Sequence, residues 1–170
     1  MESSPAAERG VVGIYLNDHL AGSTAGLELF RRAARANAGT QIGAELANLV
    51  PDIEEDRAAL IEMMGVLGVP RRQYKIVIGW VGEKVGRFKL NGRLISRSPL
   101  SPLIEVEALR LGVEGKAHGW RVLKIMAAAD RRLDINRLND LDARAQRQIA
   151  VLESLHQRAA ELVVTASADD

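Results

Sequence analysis

Apolar residues recur along most of this chain at steps of three and four, the spacing that lines up one side of a helix. Four long stretches carry the pattern. In the first, from about Val11 to Asn37, the core side reads Leu16, Leu20, Leu27, Phe30 and Ala34, and Asn37-Ala38-Gly39-Thr40 forms a stop and a turn. Gly22, Ala25 and Gly26 on this helix leave room for another backbone to come close. The second stretch, about Gln41 to Leu67, has the seam Leu46, Leu49, Ile53, Asp56, Leu60, Met63, Leu67, with Pro51 as a place to kink or divide it. The fourth begins near Asp134 to Asn136 and reaches Val164 on the seam Leu141, Ala145, Gln148, Leu152, Leu155, Ala159, Leu162.

The third stretch, Pro99 to Ala128, is the one with chemistry written on it. Ser98 caps it and Pro99 suits its first turn. One stripe along it reads Ile104, Glu107, Leu111, Glu114, His118, Val122, Ile125, aliphatic apart from three ionisable residues. Turned toward a core, those three need a counter-charge, a hydrogen-bond network or a metal ion. Asp56, alone among the apolar members of the second seam, raises the same requirement.

Short connections join the first helix to the second and the third to the fourth, so each pair is expected to be antiparallel. The middle connection, about 70–98, is long. It permits an up-down-down-up four-helix bundle, and the expected fold class is therefore all-α. Within the crossover Val77, Val81, Val85 and Phe88, with Trp80 beside them, predict a short extra amphipathic helix. Residues 1–9 are expected to be a flexible tail, 10–164 a single helical domain, and 165–170 a flexible acidic tail.

Composition narrows the function classes. The chain has 170 residues, 47% hydrophobic and 26% charged, enough for a full core of soluble type. There is no cysteine, which removes disulfides, thiolate metal sites and a thiol nucleophile. No apolar run approaches the roughly 20 residues of a membrane-spanning helix, and the start lacks the pattern of a secretory signal. The formal net charge is only +1, yet residues 71–97 hold eight cations against Glu83 alone. That crossover predicts either a solvated strap or a docking surface, with Lys84, Arg87 and Lys89 as the residues meeting an anionic membrane surface or an acidic protein partner. Nucleic acid is not expected, because aromatics are few and no nucleic-acid motif appears. The expected location is cytoplasmic, with a peripheral place at the membrane if the strap docks there. No nucleophilic triad and no phosphate-binding glycine loop can be argued, so no enzymatic activity is assigned.

Helix number, helix length, the long crossover and inward acidic residues resemble the ferritin-like superfamily over residues 10–164. Asn17-Asp18-His19-Leu20-Ala21-Gly22 and Gly112-Val113-Glu114-Gly115-Lys116 are similar to a bacterial branch of it. Members with a di-iron centre carry an inward Glu on each of two helices and Glu-x-x-His on the other two. Glu153-Ser154-Leu155-His156 matches that motif, whereas the second helix has no histidine. The resemblance implies oxygen- or peroxide-linked redox chemistry if a metal is bound, and bundles of this kind often form dimers.

Counting down from the turns places the polar residues at two levels. His19, Asp56, Glu114 and His118 fall at mid-bundle with Asp18 beside them. Glu107, Glu153 and His156 fall nearer the end where the first helix turns into the second. The central set is a candidate His/carboxylate site for iron or manganese, with Asp18, Glu107, Glu153 and His156 as second-layer or alternative ligands. The other reading is a metal-free hydrogen-bonded network in a vestigial site, needing no cofactor. Arg57 and Lys116 are the cations expected to neutralise the buried carboxylates.

Overall fold

The structure is a computed structural model, describing residues 5–72, 98 and 100–168, with side-chain surroundings from Gly10 onward. Among the described residues there are four helices and no strands: α1 (Pro5–Ala36), α2 (Gln41–Val66), α3 (Ser101–Ala127) and α4 (Ile135–Ala168). Two ends differ from expectation. The helix of α1 begins at Pro5, a residue whose fixed φ suits a first turn, inside the segment expected to be a tail. At the other end α4 continues to Ala168, four residues beyond Val164. There the Thr165 and Ser167 hydroxyls donate to the carbonyls of Glu161 and Val163 at 2.9 Å each, so most of the expected acidic tail is helix.

Local chemistry accounts for the turns. Thr40 caps α2, its hydroxyl accepting from Gly43 N–H at 3.1 Å and donating to the Asn37 carbonyl at 2.7 Å. The turn is tight enough that a Cβ on Gly43 would sit 2.1 Å from the Asn37 oxygen, so only glycine closes it. Pro51 does not divide α2, which runs unbroken through it. Both Pro51 and Ala47, whose carbonyl loses its usual amide partner, are exposed, and water can satisfy the freed oxygen. Asp134 starts α4 by accepting from the N–H groups of Asn136 (2.8 Å) and Arg137 (3.3 Å).

The core is one cluster drawn from all four helices, with Leu16, Leu46, Met64, Leu109, Leu123, Leu138, Leu152 and Leu155 almost fully enclosed. The closest packing joins α3 to α4 and α1 to α2; α1 also packs on α3, and α2 more lightly on α4. At one end the Asn37 amide donates to Glu105 at 3.2 Å, bringing the close of α1 to the opening of α3. At the other end Arg137 meets Glu62 through two 2.6 Å bonds, bringing the opening of α4 to the close of α2. Past α2 the chain turns back onto α1. Buried Asn17 donates to the Pro70 carbonyl (3.1 Å) and accepts from Arg72 N–H (2.7 Å).

The expected extra helix in the crossover, with Lys84, Arg87 and Lys89, falls in residues 73–97, outside the described residues. No helix among the described residues is long and apolar enough to cross a membrane.

Candidate functional site

The α2 seam delivers Asp56 to the middle of the bundle, where it is 1% exposed. A bare carboxylate there would be prohibitive, and it is not bare. The Lys116 ammonium of α3 bonds its Oδ2, and Gln148 Nε2 of α4 donates to the same oxygen at 3.1 Å. Arg144 of α4 bonds Oδ1 through Nε (2.8 Å) and Nη2 (2.6 Å). The ring closes because Lys116 also donates to Gln148 Oε1, while Arg144 Nη1 reaches outward to Glu55 at 2.7 Å. Burial pushes the Lys116 ammonium below its ordinary value, although Asp56 pulls the other way. Lys116 thus neutralises Asp56 as its position suggested. Arg57 does not: its Nε donates to the Thr24 hydroxyl of α1 at 3.0 Å. Sequence reasoning missed Arg144. It stands next to the seam residue Ala145, and only a long side chain folding back along the helix surface reaches the centre.

The stripe expected to face inward on α3 lies outside the core, with Ile104, Glu114 and Val122 half-buried and the other four members exposed. Leu111 is 69% exposed and Ile125 76%, and Glu107 and His118 are exposed too. The enclosed stripe is Val106, Leu109, Val113, Ala117, Trp120, Leu123. Both stripes keep helical spacing, but one has no group that resists leaving water. Desolvation of two carboxylates and an imidazole decides between them.

The remaining candidates are consequently dispersed. His118 hydrogen-bonds through Nδ1 to the Glu114 carbonyl one turn back at 2.8 Å; since the carbonyl only accepts, Nδ1 carries the proton. The Glu114 carboxylate is half-buried, 3.8 Å from Arg110, whose Nε lies 2.9 Å from Glu153. His156 meets Glu107 at 3.1 Å, at the shared level that counting from the turns placed them. Asp18 is exposed on α1. His19 is half-buried between α1 and α3, its ring centroid 4.4 Å from that of Tyr15. Burial lowers its pKa from 6.5, while Asp18 raises it and His118 lowers it, so the ring is neutral at neutral pH. Among the described residues no three of His, Asp and Glu come together in a way that could hold a metal ion. His19, Asp56, Glu114 and His118 are not gathered into a ligand set, and the oxygens of Asp56 are already taken by Lys116, Arg144 and Gln148. Among the described residues, these candidates do not fit an iron or manganese centre.

What α1 and α3 do enclose is a cleft of about 510 Å³. Its walls are Leu16, Phe30, Leu60, Leu109, Trp120 and Leu123. Its breadth comes from glycine: Gly22 and Gly26 on α1 and Gly112 and Gly115 on α3 line it, and a Cβ added at any of them would meet none of the described residues within 4 Å. The α1 glycines were expected to admit a neighbouring backbone; among the described residues they open space instead. Lower down, Gly119 packs on His19, where a Cβ would stand 3.0 Å from Nδ1. Polar groups are the minority: Arg57, His19 and Lys116 contribute to the lining together with Tyr15, Asp18, Ser23 and Asp56, and Trp120, 2% exposed, has a buried indole N–H with no acceptor among the described residues.

No family model, curated protein or solved structure matches the chain.

Proposed function

We propose that this chain is a ligand-binding helical bundle of ferritin-like type, whose centre is held by its own ion pairs and whose α1–α3 cleft takes an apolar small molecule. The contacts Asn37–Glu105 and Glu62–Arg137 support an up-down-down-up course for the four helices, the course implied by the ferritin-like resemblance. In metal-bearing members of that superfamily carboxylates and histidines converge on ions at the bundle centre. Here the Lys116 and Arg144 cations occupy the corresponding electrostatic role beside Asp56.

The observation that carries the reading is the cleft itself. A concave, mainly apolar space within the usual size range of small-molecule sites, with a handful of polar groups turned to it, is the standard form of a binding site between bundle helices. Nothing about it requires a reaction. The neutral dye Nile red tests it: the intact protein should raise its emission in a saturable, one-to-one titration. Gly112→Leu and Gly115→Leu, which fill space that no side chain of the described residues uses, should each weaken binding by about tenfold with the fold unchanged by circular dichroism. Dye binding that ignores both substitutions would sink the cleft as the site.

A further inference from the structure

We infer that the molecule bound in the α1–α3 cleft is a single-chain carboxylate of medium length, its head held by the guanidinium of Arg57 and its tail by the apolar walls. The inference rests on the cleft being a binding site and adds the chemistry of the ligand.

The polar groups along the cleft favour an acceptor. The Trp120 indole N–H is a buried donor without a partner among the described residues. The one enclosed carboxylate on the wall, Asp56, has both oxygens occupied by Lys116, Arg144 and Gln148, so it offers little to a donor on a ligand. The charges of Lys116 and Asp56 largely cancel, which leaves Arg57 as the cation on the wall with no ion pair among the described residues. Its Nε is fixed by Thr24, whose own hydroxyl proton goes to the Leu20 carbonyl at 2.9 Å. The guanidinium is therefore anchored at one nitrogen, its two terminal nitrogens make no hydrogen bond among the described residues, and that planar fork matches a carboxylate.

Charge and length restrict the ligand further. One guanidinium balances one negative charge. Asp18 contributes to the lining from an exposed position about 9 Å of helix axis from Thr24, which disfavours a more highly charged anion such as a phosphate monoester. Along α1 the apolar lining extends from Leu16 to Phe30, about 21 Å, with Thr24 near its middle. A head at Arg57 leaves about 10 Å in either direction for a tail, toward Phe30 and Leu109 or toward Leu16 and Leu123.

Isothermal titration of the full chain with decanoate and with decanol, which share a tail and differ in charge, tests this directly. Decanoate should bind wild-type protein at least tenfold more tightly than decanol. Arg57→Gln should bring decanoate down to the level of decanol and leave decanol unchanged, while Arg57→Lys, which keeps the charge and loses the fork, should fall between. Equal binding of the two ligands to wild type overturns the carboxylate and leaves the cleft standing. Binding of neither, or decanoate binding that Gly115→Leu leaves untouched, overturns both.

Discussion

Lys116 divides the bundle into two unlike halves. Toward α4 the space at mid-bundle is filled by the protein's own polar side chains, Arg144 and Gln148, locked onto Asp56. Toward α1 the facing positions are Gly22 and Gly26, and with Gly112 and Gly115 across from them a cleft opens. The halves share an apolar frame and differ in what projects from it. Where long polar residues project, the chain completes its own electrostatics; where glycine projects, it leaves space for another molecule. A buried charge is thus no evidence of a ligand, because a fold can supply the counter-charge from within.

Removing Asp56 should break this contrast most severely. Asp56→Ala removes the carboxylate between Lys116 and Arg144, leaving Arg144 its outer bond to Glu55 and Lys116 no ion pair among the described residues, at a cost of about 3–5 kcal/mol, or a fall in melting temperature of about 10 °C. Asp56→Asn keeps an acceptor in place and should cost less. Equilibrium denaturation measures both, and a loss for Asp56→Ala within experimental scatter would show that the ring does not hold the centre.

The cleft half should answer to pH through His19. Its folded pKa lies below the unfolded value because burial disfavours the imidazolium, so the unfolded chain takes up the proton first. The stability associated with His19 is therefore complete above about pH 6.5 and declines as pH falls through that value toward the lower folded pKa. Melting curves across that window should show a smaller acid-side loss for His19→Gln than for wild type. Identical profiles would mean that the ring is hydrated as in the unfolded chain.

The smallest effect is expected from metal. Protein purified without an affinity tag from cells supplemented with iron and manganese should carry under about 0.1 ion per chain, because Asp56 is already engaged and the histidines are apart. One or two ions per chain by elemental analysis would restore His19, Asp56, Glu114 and His118 as a ligand set and erase the contrast between the halves.

The fold was more legible than the site, for a physical reason. On α2 and α4 one stripe is much more apolar than its neighbours, so Asp56 and Gln148 could be placed inside from spacing alone, as the structure finds them. On α3 two adjacent stripes compete. Leu111, Val122 and Ile125 are as oily as their rivals, and periodicity cannot rank them; the exposure of Glu107 and His118 reflects a solvation cost that spacing does not register. Counting residues from a turn gave levels along the axis, and so joined His156 to Glu107. It carried no information about rotation around the axis, and that is what separates His118 from Asp56. The cleft was harder still. Its glycines were visible, but the same residues serve either to bring two helices together or to hold space between them, and the choice is made by packing elsewhere.

Asn17 shows how a helix can take over a job that sheets do with backbone. Its amide presents one donor to the Pro70 carbonyl and its oxygen to the Arg72 N–H, and spends its second hydrogen on the Gly13 carbonyl at 2.8 Å. To the departing chain it looks like the edge of a neighbouring strand, offering both halves of a peptide group in register. A proline at position 70 has no N–H to satisfy, so this one side chain provides what the passing segment needs there. The instruction for where the chain turns after α2 is thus stored more than fifty residues earlier, in a single amide that neither aspartate nor leucine could replace.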